Sequence, residues 1–405
     1  MSDKITKSPQ FRFTGFSDAW EQRKLGEMLK EFSIKTKTEN EYTVLSSTNS
    51  GMEIRNGRVS GTSNLGYKII EDGDLVLSPQ NLWLGNINVN DIGKGLVSPS
   101  YKTFKFVDLD SQFIEPQLRL PRMLEEYKNA STQGASVVRR NLELESFYQI
   151  PIRVPSWKEQ KKIGSFFKQL DDTTTLHQRE LELLQDTKKS LLQKMFPKDG
   201  SDVPEIRFAG FTDAWEQREL GDVVKIVGGA TPSKANKAYW GGEIVWLSSQ
   251  EIKGRYVSAG TYTITEKAVR ESATKVVPAF TPLIVSRSGI LARKFPITLP
   301  TVDVAINQDI KALFFDNEIL ETDFFVSQLE MKENMILTSI VKTGTTVQSV
   351  NVPDFEKLII SIPSVQEQQK VGKIFKDLGN LITLHQRELN LLENLKKSLL
   401  QQMFI

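Results

Sequence analysis

The sequence predicts an α+β chain built twice over. Two mixed, strand-rich domains are each followed by a long helix. The two helices pair inside the chain as an antiparallel coiled coil about a pseudo-two-fold axis. Three observations predict this. The 405 residues contain a long internal repeat. The repeated stretches carry a 3.5-residue apolar period. The stretches between them are short β-branched runs broken by Gly, Asn, Ser and Pro. The layout expected is a first domain with its opening motif over 1–154 and a first long helix over 155–197. A second domain with the same opening follows over 198–362, and a second long helix over 363–405.

The opening motif comes first. Residues 12–25 read RFTGFSDAWEQRKL and residues 207–220 read RFAGFTDAWEQREL, an offset of 195. The helical stretches 155–196 and 363–404 match at an offset of 208, with 26 identities in 42 aligned positions. Self-similarity at that level marks a duplication. The helix offset exceeds the motif offset, so the second domain is the longer of the two. Between the repeats only echoes survive. Leu45-Ser46-Ser47 resembles Leu247-Ser248-Ser249, and Leu75-Val76-Leu77-Ser78 resembles Leu283-Ile284-Val285-Ser286. Gly134 and Gly344 each stand a short way before a Pro-Ser, at 155–156 and 363–364. A constant frame with divergent inserts suits two readers of two different things.

The strand-like runs are 42–45, 74–77 and 103–107 in the first domain. In the second they are 243–247, 282–285 and 311–315. Helical patterns cover 117–129 and 317–332. From Pro155 and Pro363 the pattern turns fully helical, and Ser156 with Glu159, or Ser364 with Glu367, suggests a capping box. The seam of the first helix runs through Ile163, Phe167, Leu170, Thr174, His177, Leu181, Leu184, Lys188, Leu191 and Met195. That of the second runs through Val371, Phe375, Leu378, Ile382, His385, Leu389, Leu392, Lys396, Leu399 and Met403. Each is a rod of about 57 Å at 1.5 Å per residue. Phe166, Leu176 and Leu183 widen the stripe, so more than one face should be buried, against the other helix and against a partner. Both histidines fall on the seam and read as polar register-setters. A metal or catalytic role is not expected, because no acid repeats beside them on the same face.

Composition excludes much chemistry. There is no Cys, hence no thiolate nucleophile, disulfide, iron–sulfur cluster or Cys-ligated zinc. Two His leave little room for His-rich metal sites. Lys+Arg number 52 against 50 Asp+Glu, a net of +2, so any affinity for nucleic acid must be local. No apolar run approaches the length that a membrane span needs, roughly 20 residues. The opening MSDKITKSPQ has no signal-like apolar core, so a cytoplasmic chain without membrane contact is expected. No P-loop, glycine-rich S-adenosylmethionine loop or Asn-Pro-Pro-aromatic tetrapeptide is present. Glu251-Ile252-Lys253 matches a nuclease ending only by chance and has no counterpart in the other copy. No cofactor or metal is expected on this chain.

The charges are segregated nonetheless. Residues 272–302 contain no acid but hold Lys275, Arg287, Arg293 and Lys294. Residues 92–107 hold Lys94, Lys102 and Lys105 among Tyr101, Phe104 and Phe106, again without an acid. Basic stretches rich in Gly, Ser, Asn and aromatics suit phosphate contacts and base-edge readout. SPQNLWLGN (78–86) and SRSGILARK (286–294) occupy equivalent places. Candidate DNA contacts in the first domain are Ser46, Ser47, Arg55, Arg58, Gln80, Asn81, Trp83, Lys94, Lys102, Arg139 and Arg140. In the second they are Ser248, Gln250, Lys253, Arg255, Arg287, Ser288, Arg293 and Lys294.

Over nearly its whole length the chain resembles the specificity subunit of type I restriction–modification systems. The resemblance rests on the duplicated layout, the two Pro-Ser-x-x-Glu-Gln-x-x-[Ile/Val] helix starts (155–163, 363–371) and the Trp-Glu-Gln-Arg-x-Leu-Gly openings (20–26, 215–221). It implies two target-recognition domains, each reading half of a split double-stranded DNA target, with the helices as spacer. It implies two modification subunits that carry S-adenosylmethionine and methylate adenine N6. Restriction subunits would add ATP- and Mg-dependent translocation and cleavage, and this chain would have no catalytic role. One departure concerns the family's Thr-x-Gly, basic loop and Asp-Phe before each helix. The first copy has Thr132, Gly134, Arg139 and Arg140 but no Asp-Phe. The second has Thr343, Gly344, Asp354 and Phe355 but no basic pair. A stand-alone bipartite DNA-binding regulator and a coiled-coil protein scaffold remain as alternatives.

Overall fold

A computed structural model describes residues 9–55, 63–133, 140–198, 200–344 and 347–404. The chain divides into two compact units, 1–178 with 388–405, and 179–387. Each unit holds one strand-rich domain and part of both long helices. No helix among the described residues is long and apolar enough to cross a membrane.

The first unit is built on an antiparallel sheet of β1 (Leu29–Phe32), β2 (Leu75–Leu77), β3 (Ile87–Val89) and β4 (Lys102–Phe106), in the order β1-β4-β2-β3. All three residues of β2 are buried, because both sheet faces are covered. Leu75 and Leu77 join the main core with Phe104, Phe113 and Tyr127. Val76, one residue out of phase, joins a second cluster with Leu45, Ile70 and Val97. The short helix α1 (Ser111–Ile114) leads towards the long helix α2 (Trp157–Met195).

The second unit repeats the plan with β5 (Lys225–Gly228), β6 (Leu283–Val285), β7 (Ile297–Pro300) and β8 (Ile310–Phe314), in the order β5-β8-β6-β7. Tyr256–Val257 lies parallel to β7 as a fifth strand. Ile284 faces the core of Leu220, Phe355 and Ile360, as Leu75 and Leu77 face that of Leu25, Phe147 and Ile152, while Leu283 and Val285 face the other. Strand β6 is therefore the counterpart of β2, but one residue out of step with the echo of 75–78 in 283–286. The Leu-Ser-Ser echo is also structural. Val44 bridges Leu96 in parallel, as Trp246 pairs in parallel with Ala305. Helix α3 (Thr322–Met331) precedes the long helix α4 (Val365–Met403).

The repeated motifs prove to be one anchoring device. The glutamate half of each expected capping box does not form, although in the second copy the Ser364 hydroxyl accepts from the Glu367 N–H at 3.4 Å. The Glu159 and Glu367 carboxylates are buried beneath the opening motif, where Arg12 and Arg207 each bind one through two hydrogen bonds of 2.6–2.8 Å. An arginine fork outcompetes a backbone N–H for a buried carboxylate. The next residue, Gln160 or Gln368, accepts from the Asp110 or Glu321 N–H and donates to the Pro155 or Pro363 carbonyl. This ties the start of α1 or α3 to the long helix. A Cβ on Gly164 would stand 2.8 Å from the Phe113 N, and one on Gly372 2.7 Å from the Phe324 N, so only glycine allows that approach.

Within each unit the long helices run antiparallel. In the first, Phe167 stacks on Phe404 at 5.5 Å, Asp171 meets Lys396, and His177 meets Glu388. In the second, Glu180 meets His385 and Phe196 meets Phe375. Phe167, Leu170, Leu181, Phe375, Leu389 and Leu399 are buried. His177, Leu184, Leu191, Leu378, His385 and Leu392 are partly buried. An acid does face each histidine: Glu180 and Glu388 are repeats of one position, each supplied by the opposite helix, which a single helix wheel does not show. The wider stripe behaves unevenly. Phe166 packs edge-on against Phe13, whereas Leu176, Leu183, Leu384 and Leu391 are 50–69% exposed.

Candidate nucleic-acid interface

Two segments far apart in sequence meet in both domains. In the first, β2 runs out into the loop 78–86, and the Leu142 N–H donates to the Pro79 carbonyl at 3.0 Å. That bond lays the hairpin of Ser131–Gln133 and Arg140–Leu142 beside the loop. In the second, β6 runs out into 286–294. The Val350 N–H donates to Ser286 O at 2.8 Å and the Ser288 N–H to Gln348 O at 3.1 Å. These bonds place the hairpin of Val341–Thr343 and Gln348–Val350 in the same position. Each loop then winds into a short 3-10 turn, Leu82–Leu84 or Gly289–Ala292. Hairpin and loop therefore form one polar face per domain, basic in the second.

The structure sorts the first domain's candidates. Gln80 is exposed, and Asn81, Trp83, Ser46 and Arg55 are partly so. Arg140 is partly exposed and donates to the Ser131 carbonyl, which holds it along the hairpin. Lys94 is exposed over the Tyr42 ring at 4.6 Å, and the Tyr42 hydroxyl holds it above the usual lysine range. Ser47 is not on the surface. Its hydroxyl is buried, bonded to Asn86 and Asn88, and braces the loop from beneath. Lys102 is paired with Glu31 at 2.6 Å, so its charge is already balanced. Arg58 and Arg139 lie outside the described residues.

In the second domain Gln250, Arg287, Arg293 and Lys294 are exposed, and Ser288 caps the 3-10 turn by accepting from the Ile290 N–H. Ser248 is partly exposed and donates to Glu251. Burial alone would raise Glu251, but the bonds from Ser248 and Thr261 prevail and hold it below the ordinary carboxylate range. The Glu-x-Lys fragment is thus a loop brace. Arg255 is a packing residue: its side chain is 7% exposed and pairs with Asp323 at 2.7 Å and Glu330 at 3.5 Å. Lys376 and Lys188 complete that network through the same two acids. Burial lowers the Arg255 pKa, yet Glu330 and Asp323 outweigh it and the net shift is upward. Lys253 and Lys294 line a cleft of about 700 Å³ together with Lys188, Lys189 and Arg255, and Arg287 is not part of its lining. The candidates therefore divide into a loop face and a basic cleft.

Sequence reasoning passed over Thr231 and Gln308, which join the second loop face, and Arg119, which donates to the Asn49 carbonyl beside the first. Neither basic runs nor repeats mark them.

The family model for the type I restriction modification DNA specificity domain matches residues 17–186 and again 212–394. The chain is 35% identical over 172 residues to the EcoR124I/EcoR124II type I restriction enzyme specificity subunit of Escherichia coli, covering 42% of each protein. It is 26% identical over 197 residues to the MjaIX specificity subunit of Methanocaldococcus jannaschii, covering 47% of this chain and 44% of that one. These two matches span under half of the relatives' length. A third, to the MjaVIII specificity subunit of the same organism, is 21% identical over 409 residues and covers 94% and 91%. In fold, the chain is similar to the crystal structure of the type I restriction–modification S subunit from M. genitalium, with a TM-score of 0.63 at 16% identity over 98% and 99% of the two chains. With its anchoring device present twice and a family match over each copy, this chain belongs to the type I restriction–modification DNA specificity domain family.

Proposed function

We propose that this chain is the non-catalytic sequence-specificity subunit of a type I restriction–modification assembly. Each domain reads one half of a split double-stranded DNA target through its loop–hairpin face. The contrast between frame and face carries this reading. The Arg–Glu, Gln and Gly contacts recur in both units. The exposed loop residues do not recur, as a frame for two different base sequences requires.

The paired helices set the distance between half-sites. The exposed leucines at 176, 183, 384 and 391 are two copies of a seven-residue step and offer a docking face to two modification subunits. Those subunits would supply S-adenosylmethionine and adenine N6 methylation. Restriction subunits would supply ATP- and Mg-driven translocation and cleavage, in the cytoplasm. A net charge of +2 over 405 residues supports weak binding of DNA by this chain alone, with the assembly adding the phosphate contacts.

The test is reconstitution with a modification subunit and methylation of a randomised DNA library. Replacing residues 26–150 with the matching domain of another specificity subunit should change the bases selected in one half-site and leave the other intact. A methylation pattern indifferent to the exchange overturns the reading. Tight, sequence-specific binding by the chain alone at physiological salt would favour a stand-alone regulator instead.

A further inference from the structure

One exposed amide in the second domain is held more firmly than its surface position requires. Gln308 lies in the tight connection between the strand Val304–Ile306 and β8. Its Oε1 accepts from the Thr231 hydroxyl at 2.8 Å, and its Nε2 donates to Asp309 Oδ2 at 3.4 Å. A carboxylate can only accept, so the atom beside Asp309 must be the amide nitrogen, and the orientation of the group is fixed by chemistry. Both partners are themselves placed. The Ala230 N–H donates to Ile306 O, which seats Thr231, and Asp309 is braced by bonds to and from Asn307. One lone pair on Oε1 and one hydrogen on Nε2 are left over.

The same connection leads to Arg287. The Asp309 carbonyl accepts from the Ser286 N–H at 2.7 Å and the Arg287 N–H at 3.3 Å. An exposed arginine and an exposed, oriented glutamine therefore leave neighbouring backbone turns of the second loop face. An amide offering one acceptor and one donor matches the major-groove edge of adenine, N6–H and N7. A guanidinium matches guanine O6 and N7. We propose that Gln308 reads an adenine in the half-site of the second domain, beside a base read by Arg287, and that Thr231 is the residue that positions it. This rests on the DNA-specificity reading above. The first domain offers no such group at the matching place. Between Val97 and Lys102 it has Ser98-Pro99-Ser100-Tyr101, where the two serine hydroxyls bond to each other at 2.9 Å. The effect is therefore confined to one half-site.

The experiment uses the full chain assembled with its modification subunits, on a DNA library randomised over both half-sites. Gln308→Ala should lower the preference for adenine by about 10- to 100-fold at a single position of one half-site, with every other position unchanged. Thr231→Val should relax the same position less, and Gln308→Ala should leave the unfolding temperature as in the parent. An unaltered preference overturns the proposal, as does uniform weakening across all sequences, which is the mark of a phosphate contact. Either failure would leave the domain-exchange result standing. An exchange without effect would instead sink the parent reading.

Discussion

In the first unit Lys162 lies over Phe13 and Phe16, and in the second Lys370 lies over Phe208 and Phe211, beside the matched Arg12–Glu159 and Arg207–Glu367 pairs. Two turns further along the helices this likeness ends. Position 171 is an aspartate that takes Lys396. Its counterpart in the second long helix is Gly379, where an added Cβ would stand 3.2 Å from Arg255 Cδ. Lys188, the counterpart of Lys396, turns to Glu330 instead. The helix start is thus a standard anchor, indifferent to the domain it holds. The helix middle is fitted to its own domain, at the cost of about 1 kcal/mol for glycine in a helix. A foreign second domain would inherit the anchor but would need its own partner for Lys188 and Gly379.

The largest test of that comparison removes one anchor. Arg12→Ala leaves the Glu159 carboxylate buried without its partner and should cost the first unit about 3–5 kcal/mol. Hydrogen exchange followed by mass spectrometry should show the first unit opening and the second unchanged, with Arg207→Ala giving the mirror image. Equal loosening of both units would mean that the anchors are not independent.

A smaller effect probes what differs. Burial, seconded by Asp91, holds Glu115 above the ordinary carboxylate range. A carboxyl whose folded pKa is raised stabilises the fold while protonated, and that contribution is lost as the pH rises through the folded value. Glu115→Gln should therefore raise the melting temperature at neutral pH and lose its advantage below about pH 4. Glu321, also raised by burial, accepts from the Phe324 N–H at 2.7 Å, so Glu321→Gln should gain less. A pH-independent gain at Glu115 would point to packing instead. The smallest effect returns to the shared frame. Lys162→Ala and Lys370→Ala should each cost about 0.5–1 kcal/mol by loss of the ring contact, equally in the two units. Denaturant midpoints would show the match.

The repeat, the helix seam and the central strands were all legible, because each is a periodicity or a local composition. Leu75–Leu77 and Leu283–Val285 could be matched as strands, since buried central strands are apolar throughout, but that uniformity hid the register, which the echo places one residue off. What could not be read was which charge meets which. Arg12 and Glu159 stand in two separate repeated motifs 147 residues apart, and spacing alone suggested a local cap for the glutamate. The histidines' acids come from the opposite helix. Ser47 and Arg255 resembled surface donors, but burial is decided by what packs over a residue. Gln308 sits between unremarkable neighbours and gains its meaning from Thr231, 77 residues earlier. The loop faces were found as stretches; their membership was set by the fold.

The ends of the long helices carry a consequence for synthesis. Leu399, Met403 and Phe404 belong to the same core as Trp20, Phe113 and Phe167. The first unit is thus completed by residues made only after the whole of the second domain. At 5–20 residues per second, Phe404 follows Phe167 by roughly 10–50 s. Through that interval the nascent first unit carries an open aromatic socket. The second unit meets no such delay, since Met195 and Phe196 precede the domain whose core they join. Slow chain elongation would therefore endanger the first unit selectively, through aggregation at that socket.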